Sequence, residues 1–190
     1  MQNPPTTHVV TTSRYPHGLA GEITTTNGRR LRVRPIRSTD APGLVAFHRH
    51  LSDSSVYQRY FSWHAELSNT EVAHLTNVDY VDRLALVVED NGTLVAVGRY
   101  DRFPGTDRAE VAFLVTDSLQ RCGVGRQLLE RLAEAAYERG ITTFVADTQS
   151  DNMGMLGVFA HSGFAQQRSV AGGVAYVRLL IAPENETAGT

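Results

Sequence analysis

A single cysteine, Cys122, stands among the 190 residues. No intrachain disulfide can form, and a cysteine-built zinc site lacks its ligands. No apolar run approaches the ~20 residues that a membrane-spanning helix needs, so no membrane partner is expected. The start, Met1 to His8, lacks the basic cluster and apolar centre of a signal peptide, which makes the cytoplasm the expected compartment. Neither charge is in excess: 18 Lys and Arg stand against 20 Asp and Glu, a net charge of −2. That excludes nucleic acid or an anionic membrane as a partner held by bulk charge. His48, His50 and His64 lack acidic partners at metal-ligand spacing, so no metal is expected. No internal repeat is visible.

The chain is 42% hydrophobic and long enough for one domain with a real core. Residues 1–20 hold Pro4, Pro5 and Pro16 and read as a flexible N-terminal arm. The domain is expected over 21–182, with a disordered tail over 183–190. Leu31 and Val33 alternate with Arg32 and Arg34, a strand pattern. Ser38 or Asp40 can cap a helix through Leu44, Phe47 and Leu51, and a second short helix is expected over 54–61. Ser68-Asn69-Thr70-Glu71 is a capping box opening a third.

Strands follow over 84–89 and 94–101, joined by Asn91-Gly92, the strongest local hairpin signal. A third antiparallel strand covers 109–115. A helix runs on to Arg139, with Val124, Leu128, Leu132 and Ala135 as its apolar stripe and Gly140 just past its end. A strand over 142–147, a helix over 152–161 and a hairpin turning at Gly172-Gly173 complete the order. This is an α/β (α+β) chain with a mixed sheet and helices on its faces.

Between the 109–115 strand and the long helix lies Gln120-Arg121-Cys122-Gly123-Val124-Gly125-Arg126. A glycine-rich turn feeding a helix exposes unpaired N–H groups at the positive end of the helix dipole, a setting for phosphate. Arg121 and Arg126 replace the usual acidic residues there, which is unfavourable until an anion arrives. A tight strand-to-helix connection capped by Asp117 or Ser118 is the plainer alternative. No Gly-Lys-Ser/Thr follows, so it is not a P-loop. The third glycine and the early strand–turn–helix unit of a dinucleotide-binding fold are missing too.

The motif Gln120-x-x-Gly123-x-Gly125 resembles the acetyl-CoA signature of the GNAT N-acetyltransferase superfamily. A second signature, Asn152, Met155, Val158, Phe159, Gly163 and Phe164, has the family's spacing at every step. Three further segments are similar to the catalytic domain of bacterial Pat-type protein lysine acetyltransferases: 31–36, 57–61 and 109–113. The resemblance runs from about residue 30 to 180. It implies the GNAT fold, a mostly antiparallel sheet of about seven strands with helices on both faces.

It also implies acetyl-CoA as co-substrate. The pyrophosphate would meet the N–H groups of Cys122 to Arg126, including Gly123, Val124 and Gly125, beside Gln120 and Arg121. Phe113, Leu114 and Val115 would pair with the pantetheine arm like an added strand. A main-chain N–H near Phe113 would polarise the thioester. Asn152 would hold the thiol end of the cofactor, although it is also a well-placed helix cap. Phe159 stands where many members carry the tyrosine that protonates the leaving thiolate, so it reads as core packing beside the cofactor. Glu110 matches the Pat-type general base and shares a strand face with Ala112 and Leu114.

The implied acceptor is a protein lysine, for example on an acyl-CoA synthetase, with a small-molecule amine or a non-catalytic acyl-CoA sensor as alternatives. A monomer or homodimer is expected. Tyr57, Arg59 and Tyr60 are candidates for the acceptor mouth, and Asp79, Asp82 and Asp147 for an acidic acceptor groove. Cys122 reads as an incidental small residue, with a redox role as the alternative.

Overall fold

The structure, a computed structural model, describes residues 14–61 and 66–182. One eight-stranded sheet has the spatial order β1-β2-β3-β4-β5-β6-β8-β7. Its strands are β1 (Gly21–Thr24), β2 (Arg30–Pro35), β3 (Arg83–Asp90), β4 (Thr93–Arg102), β5 (Arg108–Val115), β6 (Thr143–Gln149), β7 (Ala165–Ala171) and β8 (Val174–Leu180). The helices are α1 (Ala41–Arg49), α2 (Asp53–Tyr60), α3 (Asn69–Thr76), α4 (Val124–Tyr137) and α5 (Met153–Ala160). All neighbouring strands run antiparallel except β5 and β6.

Strand β3 shows why helices cover both faces. Its successive side chains point to opposite sides, and Leu84 through Val88 are all buried. Leu84, Leu86 and Val88 join the cluster that includes Leu128, Leu129 and Leu132 of α4. Ala85 and Val87 join Leu44, Phe47 and Val56 of α1 and α2. The predicted stripe of α4 is wholly inside, and full burial of each such leucine contributes roughly 1.5–3 kcal/mol. The helix ends where Gly140 enters the left-handed region at φ 76°. Ile141 N–H then donates to Ala136 O and Gly140 N–H to Tyr137 O, closing the last turn.

The hairpin at Asn91-Gly92 has both residues at positive φ, as a two-residue turn of this kind requires. The capping box at Ser68 and Glu71 forms as expected. Asp40 occupies the N-cap of α1, but its side chain makes no cap bond to that helix. It accepts instead from Arg37 N–H (2.7 Å) and from Arg34.

The sheet has one strand more than the seven expected, because β1 went unread. Only Ile23 of its four residues is buried, so no alternation was there to see. Residues 1–13 of the expected arm and 183–190 of the expected tail lie outside the described residues, as does His64. Residues 14–20 pack on the sheet. Tyr15 Oη donates to Pro35 O (2.9 Å), and the Arg37 guanidinium lies over the Tyr15 ring at 4.5 Å.

Arg34 ties three elements together. Its guanidinium grips Asp40 with two bonds (2.7 and 2.8 Å) and Glu89 of β3 with two more (3.0 and 2.6 Å). The three side chains are only 9%, 12% and 13% exposed. Burial pushes the Asp40 carboxyl up, but hydrogen bonds from Arg34 and the Arg37 N–H outweigh this and hold it below its usual value. Its contribution to stability is therefore present above the ordinary carboxylate range and lost as pH falls through the lower folded value. Arg34→Met leaves two carboxylates facing each other and should lower stability at pH 7 by about 3–5 kcal/mol. Urea titrations should show the gap from wild type narrowing toward pH 3, because protonation removes the wild-type ion pair and relieves the variant's repulsion.

Candidate active site

Strands β5 and β6 pair in parallel only at Arg108, Ala109 and Glu110, opposite Thr143, Phe144 and Val145. Beyond Glu110 they diverge. β5 continues beside β4 to Val115, and β6 continues beside β8 to Gln149. The fork opens a cleft of about 340 Å³. Thr116 N–H donates to Val95 O on the β4 side, while Asp107 O accepts from Thr142 N–H on the β6 side. Backbone groups alternate along a strand, so the N–H groups of Phe113 and Val115 point into the fork. A strand edge left open in this way seeks an extended partner. The Phe113 side chain goes to the α4 face, where Gly98 makes room. A Cβ on Gly98 would stand 2.8 Å from the ring.

The glycine turn sits at the open end of the fork. Arg121 (φ 59°) and Gly123 (φ 81°) both adopt the left-handed region. The first helical bond of α4 is Gln127 N–H to Gly123 O (3.2 Å). Val124, Gly125 and Arg126 thus present N–H groups with no intrahelical acceptor, no side-chain cap and no acid in the first turn. Cys122 departs from expectation, because its N–H turns back to Leu119 O (3.4 Å). Gln120, Arg121 and Gly125 line the cleft, whereas the Val124 side chain is buried. The Arg126 side chain pairs with Glu130 at 3.0 Å, leaving its N–H as its contribution to the turn. Gly125 has a second reason to be small: a Cβ there would stand 3.1 Å from Val158 of α5.

The Gln120 side chain is engaged in protein contacts. Its Nε2 donates to Ser55 Oγ (2.8 Å), Asp117 Oδ1 (3.2 Å) and Val115 O (3.3 Å). Asp117 also accepts from Ser52 N–H (3.1 Å), Ser52 Oγ (2.8 Å) and Ser55 Oγ (2.8 Å). One carboxylate thus joins the start of α2, the end of β5 and the glycine turn. Sequence reasoning missed this cluster. Ser55 and Asp117 lie 62 positions apart; Asp117 reads locally as an ordinary cap and Ser55 as one residue of a short helix.

Glu110 is exposed at the closed end of the fork and has no hydrogen bond or ion pair among the described residues. Across β4 it faces Asp101, which is held by Arg83 and Arg99, each at 3.0 Å. Asp147 lines the same cleft from β6. Asp79 and Asp82 do not belong here. Asp79 Oδ1 accepts three backbone N–H bonds in its own loop, and Asp82 pairs with Arg102. Asn152 accepts from Met155 N–H (3.0 Å) as the cap of α5, and it also lines the cleft. Phe159 is 2% exposed, within the core under the cleft. Arg59 lines the cleft, while Tyr57 stands out in solvent. Among the described residues no group of three or more His, Cys, Asp or Glu gathers to hold a metal, and no helix is long and apolar enough to cross a membrane.

The acetyltransferase (GNAT) family model matches residues 46–164. The chain belongs to that family. This GNAT chain aligns with the crystal structure of the GNAT domain of S. lividans PAT at a TM-score of 0.82 and 39% identity. The match covers 87% of this chain and 98% of that one. Acetyltransferase Pat of Mycolicibacterium smegmatis is 29% identical over 126 residues, 65% of this chain. The chain spans 38% of that relative's length. The protein yncA of Salmonella typhimurium, solved with its cofactor acetyl-CoA, shares the fold with a TM-score of 0.64 at 20% identity. That likeness covers 81% of this chain and 95% of that one. The assignment places the chain among the acetyltransferases of the GNAT family.

Asp117→Ala should cost about 1–2 kcal/mol, the scale of charge-assisted hydrogen bonds at a partly exposed site. It should also weaken CoA binding, because the glycine turn loses its tie to α2. Thermal melts and calorimetric titration with CoA check both effects. Full stability together with unchanged CoA affinity would show that the cluster does not set the turn.

Proposed function

We propose that the chain moves the acetyl group of acetyl-CoA to the side-chain amine of a protein lysine, with Glu110 as general base. The observation that carries this reading is the fork. It brings together an open strand edge, a helix N-terminus without acid and one unpaired carboxylate at its closed end. Val124, Gly125 and Arg126 N–H suit the pyrophosphate, with Arg121 beside them. The open edge of β5 suits the pantetheine amides, and Asn152 lines the same cleft as a further contact for the cofactor.

A lysine amine, with pKa about 10.4, must lose its proton before attack, a deficit of roughly 4–5 kcal/mol at pH 7. Glu110 takes that proton, directly or through one water. The amine nitrogen adds to the thioester carbonyl, and Phe113 N–H stabilises the oxyanion. The C–N bond stays, the C–S bond breaks, CoA leaves as thiolate, and the nitrogen sheds its second proton to water. Phe159 carries no proton to give. With a thiol pKa near 8.5 the thiolate is a fair leaving group that solvent can protonate. The likeness to Pat proteins supports a protein acceptor, such as an acyl-CoA synthetase.

Glu110→Gln should bind acetyl-CoA as wild type does and lose at least about 100-fold in kcat, the usual scale of a general base. A variant that turns over at the wild-type rate would remove Glu110 from the mechanism. Incubation with labelled acetyl-CoA and a cell lysate should label lysines in a few proteins. Label confined to small molecules would overturn the protein-acceptor reading.

A further inference from the structure

A second cavity, about 320 Å³, lies between α1–α3 and the face of β3–β5. Its volume falls within the ~300–1,000 Å³ range of small-molecule sites. It meets the fork along β5, since Arg59, Ala112, Phe113 and Leu114 line both spaces. Acetyl has no use for this room. Strand register explains how it arises. Ala85 pairs with Arg99, and Arg99 with Ala112, so two alanines flank one arginine on the α1–α3 face. Leu44, Phe47, Leu75 and Val97 form apolar walls around that depression.

The charges on the cavity decide what enters it. Arg59 and Arg99 line it together, with Arg99 paired to Asp101 at 3.0 Å; burial and then the Arg99 charge pull the Arg59 guanidinium below the usual arginine range, against the weaker opposing pull of Tyr60, Glu110 and Asp101. A lysine ammonium would be repelled there. Glu71, at the α3 side with His74, turns its carboxylate to the Ser68 N–H (2.8 Å) and Ser68 Oγ (2.6 Å). The acidic approach to Glu110 lies on the Asp147 side of the fork. Donor and acceptor therefore use different doors.

We propose that this cavity receives the acyl chain of straight-chain acyl-CoA donors longer than acetyl, with hexanoyl as a fitting length. The proposal rests on the acyl-CoA reading of the fork. The carbonyl stays at Phe113 N–H, and the chain passes Ala112 into the cavity, against the arginine stems and the apolar walls. The reaction is the same transfer. The amine gains the acyl carbon, the C–S bond breaks, and the amine proton goes to Glu110, with no further reactant.

Calorimetric titration of the protein with CoA, acetyl-CoA and hexanoyl-CoA tests this. Hexanoyl-CoA should bind at least about tenfold tighter than acetyl-CoA, from burial of four extra methylenes. Leu75→Trp and Ala85→Leu fill the cavity from α3 and from β3. Each should abolish that gain and leave CoA and acetyl-CoA affinities within about twofold; Leu75→Trp suffices if the core substitution fails to fold. CoA binding with no gain from hexanoyl overturns the cavity assignment alone. Absence of CoA binding overturns the acyl-CoA reading and the cavity assignment with it. A Leu75→Trp variant with unchanged hexanoyl-CoA affinity and a raised KM for lysine peptide would reassign the cavity to the acceptor.

Discussion

The parting of β5 from β6 after Glu110 is the constraint on which the rest of the site depends. The two strands are joined through α4, and a strand–helix–strand crossover of this kind makes them parallel. Their short pairing holds the fork shut at one end. Everything the cofactor reading needs follows from the opening at the other. The turn into α4 must stand where β5 ends, α5 must begin where β6 ends, and the N–H groups of β5 face a gap. An unpaired strand edge in the middle of a sheet is costly without a partner. An extended ligand rich in amides would supply what β6 withholds.

The two lips of the fork are built on different principles. The donor side is mostly backbone: strand edge, turn and helix terminus. Apart from Arg121, its side chains are mostly small or engaged by the protein itself, as with Gln120 and Asn152. The opposite side is made of side chains from α1–α3, which sit on the sheet through the Ala85–Val87 face and the Arg34 clamp. Backbone recognition tolerates sequence change, whereas side-chain recognition does not. Differences in acyl group or acceptor among chains of this fold should therefore be sought in α1–α3 and in the β4 and β5 residues beneath them.

Much of the fold was legible because local signals and the final packing agree. Asn91-Gly92, the box at Ser68 and the stripe of α4 each act within a few residues. β1 was not legible, since one buried residue in four leaves no pattern. The site divides the same way. Gly123 and Gly125 announced a turn, but the sequence could not show that Val158 also presses on Gly125, or that Cys122 N–H folds back on Leu119. The fork itself had no signature, because where two strands stop pairing depends on what packs between them. The floor of the second cavity is set by strand register. Ala85 and Ala112 are 27 positions apart in sequence, yet one arginine separates them across the sheet.

Asp117 binds the first turn of α2 and the Gln120 amide with a single carboxylate. The helix borders the second cavity through Arg59 and Tyr60, and the turn borders the fork through Gln120 and Arg121. Any free energy by which one ligand tightens that shared anchor is transmitted to the other site, and thermodynamic linkage requires the transmission to be equal in both directions. A GNAT chain wired in this way couples whatever fills the cavity beside α2 to the occupancy of the fork.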